Sequence, residues 1–209
     1  MVHLHDVSKH LLLVVGGTGY VGSNILQRAV QKGMKVRSLT RSGRPDWGSN
    51  VPWLDQVEWI KGDVFSRDDI DKAVAGTTGV ISTVGAFGSN EFMEKMCGDA
   101  TIAAVRAAKD AGTKRFVFIS ESRVGSQIPT WAPMYGYFHG KERAENAVAA
   151  HFPDTGVSLR PGFVFGTRRV RIKDGDYFLP LQLAGAPMSF LGRQVQIHAH
   201  SHVWLVTRL

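Results

Sequence analysis

The sequence predicts an α/β fold: a doubly wound, mainly parallel sheet with helices on both faces. Three observations carry that expectation. Leu11 to Val15, Leu-Leu-Leu-Val-Val, is a continuous apolar run of strand length. Glycines at 16, 19 and 22 follow it at a spacing of three, and a helical pattern starts directly after them. Strand-like and helix-like stretches then alternate as far as residue 166, the pattern of βαβ units.

The stretch Gly16-Gly17-Thr18-Gly19-Tyr20-Val21-Gly22 reads as a phosphate cradle. Gly16 makes the tight turn off the strand, Gly19 lets backbone amides approach a pyrophosphate without an intervening Cβ, and Gly22 lets the helix pack closely on the sheet. The helix N-terminus then turns unpaired amides and the positive end of its dipole toward the anion. Alone, such a triplet also fits a tight turn that holds no ligand. Between a buried strand and a helix it points to a dinucleotide.

The first helix runs from Tyr20 to Lys32 and Gly33 stops it; Lys35 to Thr40 is the second strand, with Arg41 at its end. In a βαβ unit that end lies beside the adenosine ribose, where an acidic side chain holds a free 2′-hydroxyl and a basic one accepts a 2′-phosphate. Arg41, with Arg44 nearby, therefore favours NADP(H) over NAD(H), because a guanidinium fork matches a phosphate. The competing reading is a solvated surface arginine. Val57 to Lys61 is the third strand, and Gly62, Asp63 and Val64 lead to a helix from Ser66 to Ala75. Asp63 either meets the adenine or starts the turn into that helix.

The fourth strand, Gly79 to Val84, ends in Gly85, Ala86, Phe87 and Gly88. Such small residues let a strand end pass close to a ribose and nicotinamide, or else form a flexible loop. A long helix from Glu91 to Ala111 carries Met93, Met96, Ala100, Ala103, Ala104 and Ala107 at helical spacing, which reads as core for both methionines. Gly112 ends it. Arg115 to Ser120 is the fifth strand, followed by Glu121 and Ser122, and the next helix spans Tyr135 to Ala150. Tyr137 and Lys141, at i and i+4, share a face of that helix. An ammonium beside a phenol favours phenolate and lowers its pKa, which suits proton exchange near neutral pH. By itself Tyr-x-x-x-Lys is usually a surface pair; its position after the fifth strand makes it specific.

Gly156 to Arg160 is the sixth strand, and Pro161 and Gly162 open the loop after it. Residues 1–166 thus form the dinucleotide-binding domain. Residues 167–209 form a short C-terminal segment without clear periodicity, not an independent domain. His198, His200 and His202 alternate there, but with no nearby carboxylate or cysteine they read as an exposed tail, and no metal site is expected.

Bulk properties narrow the function classes. Hydrophobic residues at 44% and charged residues at 21% are those of an ordinary soluble globular protein. The single cysteine, Cys97, excludes an internal disulfide and a cysteine-built zinc site. No apolar run reaches the roughly 20 residues that cross a bilayer, and the first ten residues lack a transit-peptide pattern. The net charge of +7 is scattered apart from Arg168, Arg169, Arg171 and Lys173. No nucleic-acid motif accompanies that charge, so no nucleic-acid partner is expected.

Together, the glycine turn, the Arg41 strand end, Gly62-Asp63-Val64, Tyr137-x-x-x-Lys141 and Leu159-Arg160-Pro161-Gly162 resemble the atypical and extended short-chain dehydrogenase/reductases of the NAD(P)-binding Rossmann superfamily. Within it the chain is most similar to the mitochondrial and plastid group that includes a coenzyme Q biosynthesis protein and an accessory subunit of respiratory complex I. The resemblance implies bound NADP(H), a carbonyl or quinone-like small-molecule substrate, and a mitochondrial setting with peripheral association to a membrane-bound complex. Tyr137 matches the catalytic acid/base and Lys141 the lysine that binds the nicotinamide ribose. Asp63 and Val64 match the adenine contact, and Pro161 and Gly162 the loop beside the nicotinamide. Two departures bear on activity. The family's catalytic serine or threonine aligns near Glu121, with Ser120 and Ser122 on either side, so the triad is incomplete or shifted. Only 43 residues follow Gly166, less than the family's usual substrate region, so a truncated or alternative end is expected. A non-catalytic dinucleotide-binding protein with a structural or assembly role is the alternative.

Overall fold

The first strand, β1 (Leu11–Val15), is central to the sheet because its apolar run must be covered on both faces. The structure, a computed structural model, describes residues 9–46, 51–121, 128–162, 164, 167–172, 175–180 and 196–199. After β1 come α1 (Tyr20–Gln31), β2 (Lys35–Thr40), a 3₁₀ turn (Pro52–Gln56), β3 (Val57–Lys61), α2 (Arg67–Val74) and β4 (Gly79–Ser82). Next are α3 (Asn90–Glu94), a π turn (Lys95–Asp99), α4 (Ala100–Asp110), β5 (Arg115–Ile119), α5 (Tyr135–His151) and β6 (Gly156–Arg160). Last are β7 (Thr167–Ile172), β8 (Gly175–Pro180) and β9 (Gln196–Ala199).

Seven strands share one sheet in the order β3-β2-β1-β4-β5-β6-β9. The first six are parallel and β9 joins antiparallel to β6, with Leu159 opposite Ile197. Strand order reverses between β1 and β4, so the loops that leave their carboxyl ends diverge and open a crevice there.

The two faces of the sheet are covered unequally. On one, Leu13, Val15, Val80, Phe116 and Phe118 pack with Ile70, Ala104, Val105, Ala144 and Val148 of α2, α4 and α5. Each large apolar side chain buried there contributes on the order of 1.5–3 kcal/mol. A buried hydroxyl pair, Ser82 with Thr101 at 2.8 Å, ties β4 to α4 within that layer. On the other, Val14, Leu26, Ala29, Val36 and Val57 form a smaller cluster beneath α1. Ile81, Val117, Ile119 and Leu159 face an apolar hollow of about 610 Å³ beside α1.

Three expectations need correction. The helix expected from Glu91 to Ala111 is interrupted by the π turn, where the buried Gly98 meets Gly140 of α5; a Cβ on Gly98 would lie 3.0 Å from the Gly140 Cα. Met93 is core, but Met96 lines the crevice. The fourth strand ends at Ser82; the Thr83 amide still donates to the Val15 carbonyl at 3.0 Å, and its hydroxyl donates to the carbonyls of Val15 and Gly16. The tail, which shows no clear periodicity in sequence, contains the β7–β8 hairpin, whose strands are neighbours in sequence, and β9, which is placed by its pairing with the distant β6.

Candidate functional site

The glycine turn occupies the crevice. Gly16 sits at φ +90°, a conformation that L side chains rarely adopt, and a Cβ on Gly22 would collide with the Gly16 carbonyl oxygen. Gly17 faces inward, where a Cβ would strike the Ser38 hydroxyl and Leu26. Gly19 differs, since a Cβ there would meet only the Gly16 carbonyl, at 3.2 Å. The fold thus demands Gly16, Gly17 and Gly22 more firmly than Gly19. Gly19 is also the N-cap of α1, which has no side-chain cap and no acidic residue in its first turn. A helix N-terminus of this kind suits an anion.

Gly16, Thr18, Gly19, Arg41, Asp63, Val64 and Gly85 line one cavity with Thr83, Ala86 and Met96. Seven residues named from sequence are therefore brought together. Arg41 is exposed at the end of β2, whereas Arg44 is paired with Asp55 at 2.7 Å and so is not part of a fork with Arg41. The Asp63 carboxylate accepts from the Phe65 amide at 3.0 Å, and Asp69 accepts from the Asp63 amide at 2.8 Å. Asp63 therefore makes the turn into α2 while lining the cavity. Tyr20 and Val21 line the apolar hollow on the far side of α1, and Pro161 and Gly162 are not among the cavity-lining residues.

Beyond Gly85 stand the helix residues. A Cβ on Gly85 would lie 3.7 Å from Lys141 Nζ and 3.8 Å from Cys97 Sγ, so glycine leaves the approach to both open. Lys141 is only 5% exposed; its ammonium donates to the Ile119 carbonyl at 2.7 Å and lies 4.6 Å from the centre of the Phe118 ring. Burial pulls its pKa down to about 8, against the opposing pull of Cys97, Glu121 and Glu145. Tyr137 lies on the same face, its ring centre 5.8 Å from Lys141 Nζ, beneath the exposed Phe87 ring, which stacks on it at 5.3 Å.

The expected lowering of the phenol's pKa does not occur in this arrangement. Burial, then Cys97 and Glu121, push Tyr137 up to about 12. The reason is geometric: the Lys141 ammonium hydrogen-bonds the β5 carbonyl, and the aromatic cover over Tyr137 outweighs its field. Ser120, at the end of β5, is 5% exposed, and its hydroxyl has no partner among the described residues. Ser122 lies outside the described residues.

Buried donors with capacity to spare are unusual unless something else satisfies them. Lys141, with one acceptor among the described residues, and Ser120, with none, mark the carboxyl end of β5 as suited to a polyhydroxylated ligand. Sequence reasoning missed Cys97, which the π turn brings to the site and which donates to the Ala86 carbonyl at 3.5 Å. It also missed Thr83, Met96 and Asn90, for which no local pattern gives a signal. Of the three alternating histidines, His198 lies in β9, and His200 and His202 lie outside the described residues. No helix among the described residues is long and apolar enough to cross a membrane.

Residues 16–170 match a protein family described as NAD(P)H-binding, a span from the glycine turn into β7. The chain belongs to this family. An uncharacterised chloroplastic protein of Arabidopsis thaliana is 42% identical over 183 residues, covering 88% of this chain and 59% of the relative. The photosystem II assembly factor Ycf39 of Trieres chinensis is 33% identical over 54% of this chain and 35% of its own length. The mitochondrial protein FMP52 of Meyerozyma guilliermondii is 29% identical over 75% of this chain and 66% of its own. Among solved structures, a short-chain dehydrogenase/reductase superfamily protein of Agrobacterium tumefaciens with bound NAD superimposes with a TM-score of 0.58 at 25% identity. That superposition covers 72% of this chain and 48% of the other. The family is thus the short-chain dehydrogenase/reductase-like Rossmann group, with plastid and mitochondrial members. The chain spans 59% of the Arabidopsis relative and about a third of the Ycf39 protein.

Proposed function

We propose that this chain is an NADP(H)-dependent oxidoreductase that reduces a carbonyl or quinone-like substrate with Tyr137 as proton donor. The observation that carries this reading is the buried Lys141 ammonium, held beside Tyr137 and Gly85 with one acceptor, the Ile119 carbonyl, among the described residues. A nicotinamide dinucleotide bound in the crevice supplies the hydride. The amides of the glycine turn and of the α1 N-terminus hold its pyrophosphate, Arg41 its 2′-phosphate, and Lys141 the nicotinamide ribose. Pro161 and Gly162 border the nicotinamide in the same reading.

Tyr137 delivers its phenolic proton to the substrate oxygen as the carbonyl carbon is reduced. A phenol pushed up to about 12 is protonated at neutral pH but is a weaker acid than a free tyrosine, so proton delivery in this reading requires bound cofactor and substrate to bring its pKa down. Ser120 Oγ, or Ser122, donates a hydrogen bond to the same oxygen. Phe87 keeps water from Tyr137 until substrate takes its place. The setting proposed is an organelle, in keeping with the chloroplastic and mitochondrial relatives.

A second reading is a cofactor-holding assembly protein, docked peripherally on a membrane-bound complex. It is favoured by a carboxylate, Glu121, where the family's hydroxyl is expected, and by likeness to an assembly factor. Turnover separates the two. Purified protein with NADPH is assayed against a panel of quinones and small carbonyls, alongside Tyr137→Phe. The oxidoreductase predicts NADPH oxidation that falls about 10²- to 10⁴-fold in the variant, the usual worth of a positioned acid. NADPH binding without oxidation of any panel member assigns the chain to the second reading.

A further inference from the structure

The helix that carries Tyr137 begins in an unusual way. Its N-cap residue, Met134, has φ 71° and ψ −1°, the left-handed region, and is the one non-glycine residue with positive φ among those described. The thioether of methionine is only a weak acceptor, and the Met134 side chain makes no cap hydrogen bond to the first amides of α5. An acceptor arrives from another helix. Gly136 N–H donates to Asn90 Oδ1 at 3.1 Å, and Asn90 Nδ2 donates to the Ala132 carbonyl at 2.9 Å. That carbonyl also accepts from Tyr135 N–H at 3.3 Å. One amide side chain thus grips the chain on both sides of the strained residue.

The backbone leaves no slack at this junction. A Cβ on Gly136 would collide with the Asn90 carbonyl oxygen, so the first turns of α3 and α5 touch directly. Tyr137 is the next residue, its amide bonded to the Met134 carbonyl at 3.1 Å, and any shift of Met134 passes straight to the phenol. Met134 in αL costs energy that only surrounding contacts can hold in place.

We infer that Asn90 is a positioning residue for Tyr137: its side chain caps α5 from outside and fixes the Met134 turn, which sets where the phenol sits beside Lys141 and Phe87. Its catalytic consequence rests on the role proposed for Tyr137; the clamp itself can be read without turnover. Asn90 starts α3 after the loop that contains Gly85 and Phe87, so the clamp also joins the cofactor side of the site to the helix bearing the proton donor.

The test uses the full chain carrying 3-fluorotyrosine, with the Tyr137 fluorine line assigned from Tyr137→Phe. Asn90→Ala is expected to split or broaden the Tyr137 line and to leave that of Tyr20, at the start of α1, unchanged. Asn90→Asp keeps an acceptor for Gly136 N–H but cannot donate to the Ala132 carbonyl, and is expected to give a line intermediate between those of wild type and Asn90→Ala. A Tyr137 line in Asn90→Ala that superimposes on wild type, or one that broadens equally with Tyr20, overturns the inference. Should Asn90→Ala not fold, Asn90→Ser, too short to span both partners, is read by the same criteria. Adding NADPH keeps the two claims apart. A wild-type Tyr137 line that NADPH does not move counts against the proposed function, while the ligand-free spectra still decide the role of Asn90.

Discussion

The two halves of the crevice are built on different principles. The half made by β1, α1, β2 and β3 is built around one turn of seven residues, whose glycines are demanded by atoms of the turn itself, by Ser38 and Leu26, and by Thr83 after β4. The half made by β4, β5, α3 and α5 is assembled from afar. Lys141 bonds Ile119, Gly136 bonds Asn90, and Arg160 closes a buried bidentate pair with Glu145 behind them. The glycine turn rests largely on its own backbone with Thr83 as a distant support, whereas the second half depends on packing between helices. Cofactor binding is therefore expected to tolerate distant substitutions better than the arrangement of Tyr137 and Lys141 does.

That contrast breaks first at Gly22. In Gly22→Ala the added methyl meets the Gly16 carbonyl, a backbone atom that cannot yield, and we expect a loss of about 3 kcal/mol or more in urea unfolding. A loss below about 1 kcal/mol would show that the turn is looser than described.

Lys141→Met probes the other half and has the opposite sign. Burial of the ammonium lowers its pKa from 10.5 to about 8, so below pH 8 both folded and unfolded chains carry the proton and the fold bears the whole cost of burying it. Between pH 8 and 10.5 the unfolded chain keeps the proton while the folded chain releases it, so this group's contribution to stability rises with pH across that window. At about 1.4 kcal/mol per unit the cost is on the order of 3 kcal/mol. Lys141→Met is expected to stabilise the protein at pH 7 and to flatten its stability profile between pH 8 and 10.5, while weakening NADPH binding. Chemical denaturation at stepped pH measures this.

Arg41→Ala sharpens the reading of the first half. NADPH affinity should fall about 10- to 100-fold, in line with about 1.5–3 kcal/mol for a charge-assisted contact, with NADH affinity unchanged in calorimetric titration. Equal loss for both cofactors would remove the 2′-phosphate role. The smallest effect on folding is expected at Gly19, whose replacement by alanine should alter stability by no more than about 1 kcal/mol. The same variant should lose NADPH affinity about tenfold, as a Cβ placed between amides and pyrophosphate would require.

The same contrast explains what was legible in the sequence. The glycine turn, the strand ends at Arg41 and Asp63, and the shared face of Tyr137 and Lys141 were readable because each depends on spacing within one or two elements. The direction of the Tyr137 shift was not, because it depends on Phe87 and Phe138 covering the ring and on the lysine choosing a carbonyl of β5. Cys97 was read only as a lone thiol, since reaching the site takes a π turn that no local pattern announces. Asn90 is an ordinary helix-start residue in sequence, and its partner is 46 positions away. The antiparallel β9 likewise owes its place to β6, not to any periodicity of its own.

The most direct test is single-turnover oxidation of protein-bound NADPH by a quinone or carbonyl that the wild-type chain accepts, followed at 340 nm in wild type and in Tyr137→Phe. Our account predicts equal NADPH binding in the two proteins and a hydride-transfer rate lower by about 10²-fold or more in the variant. Equal rates in both, or bound NADPH that no acceptor in the panel oxidises, would contradict it.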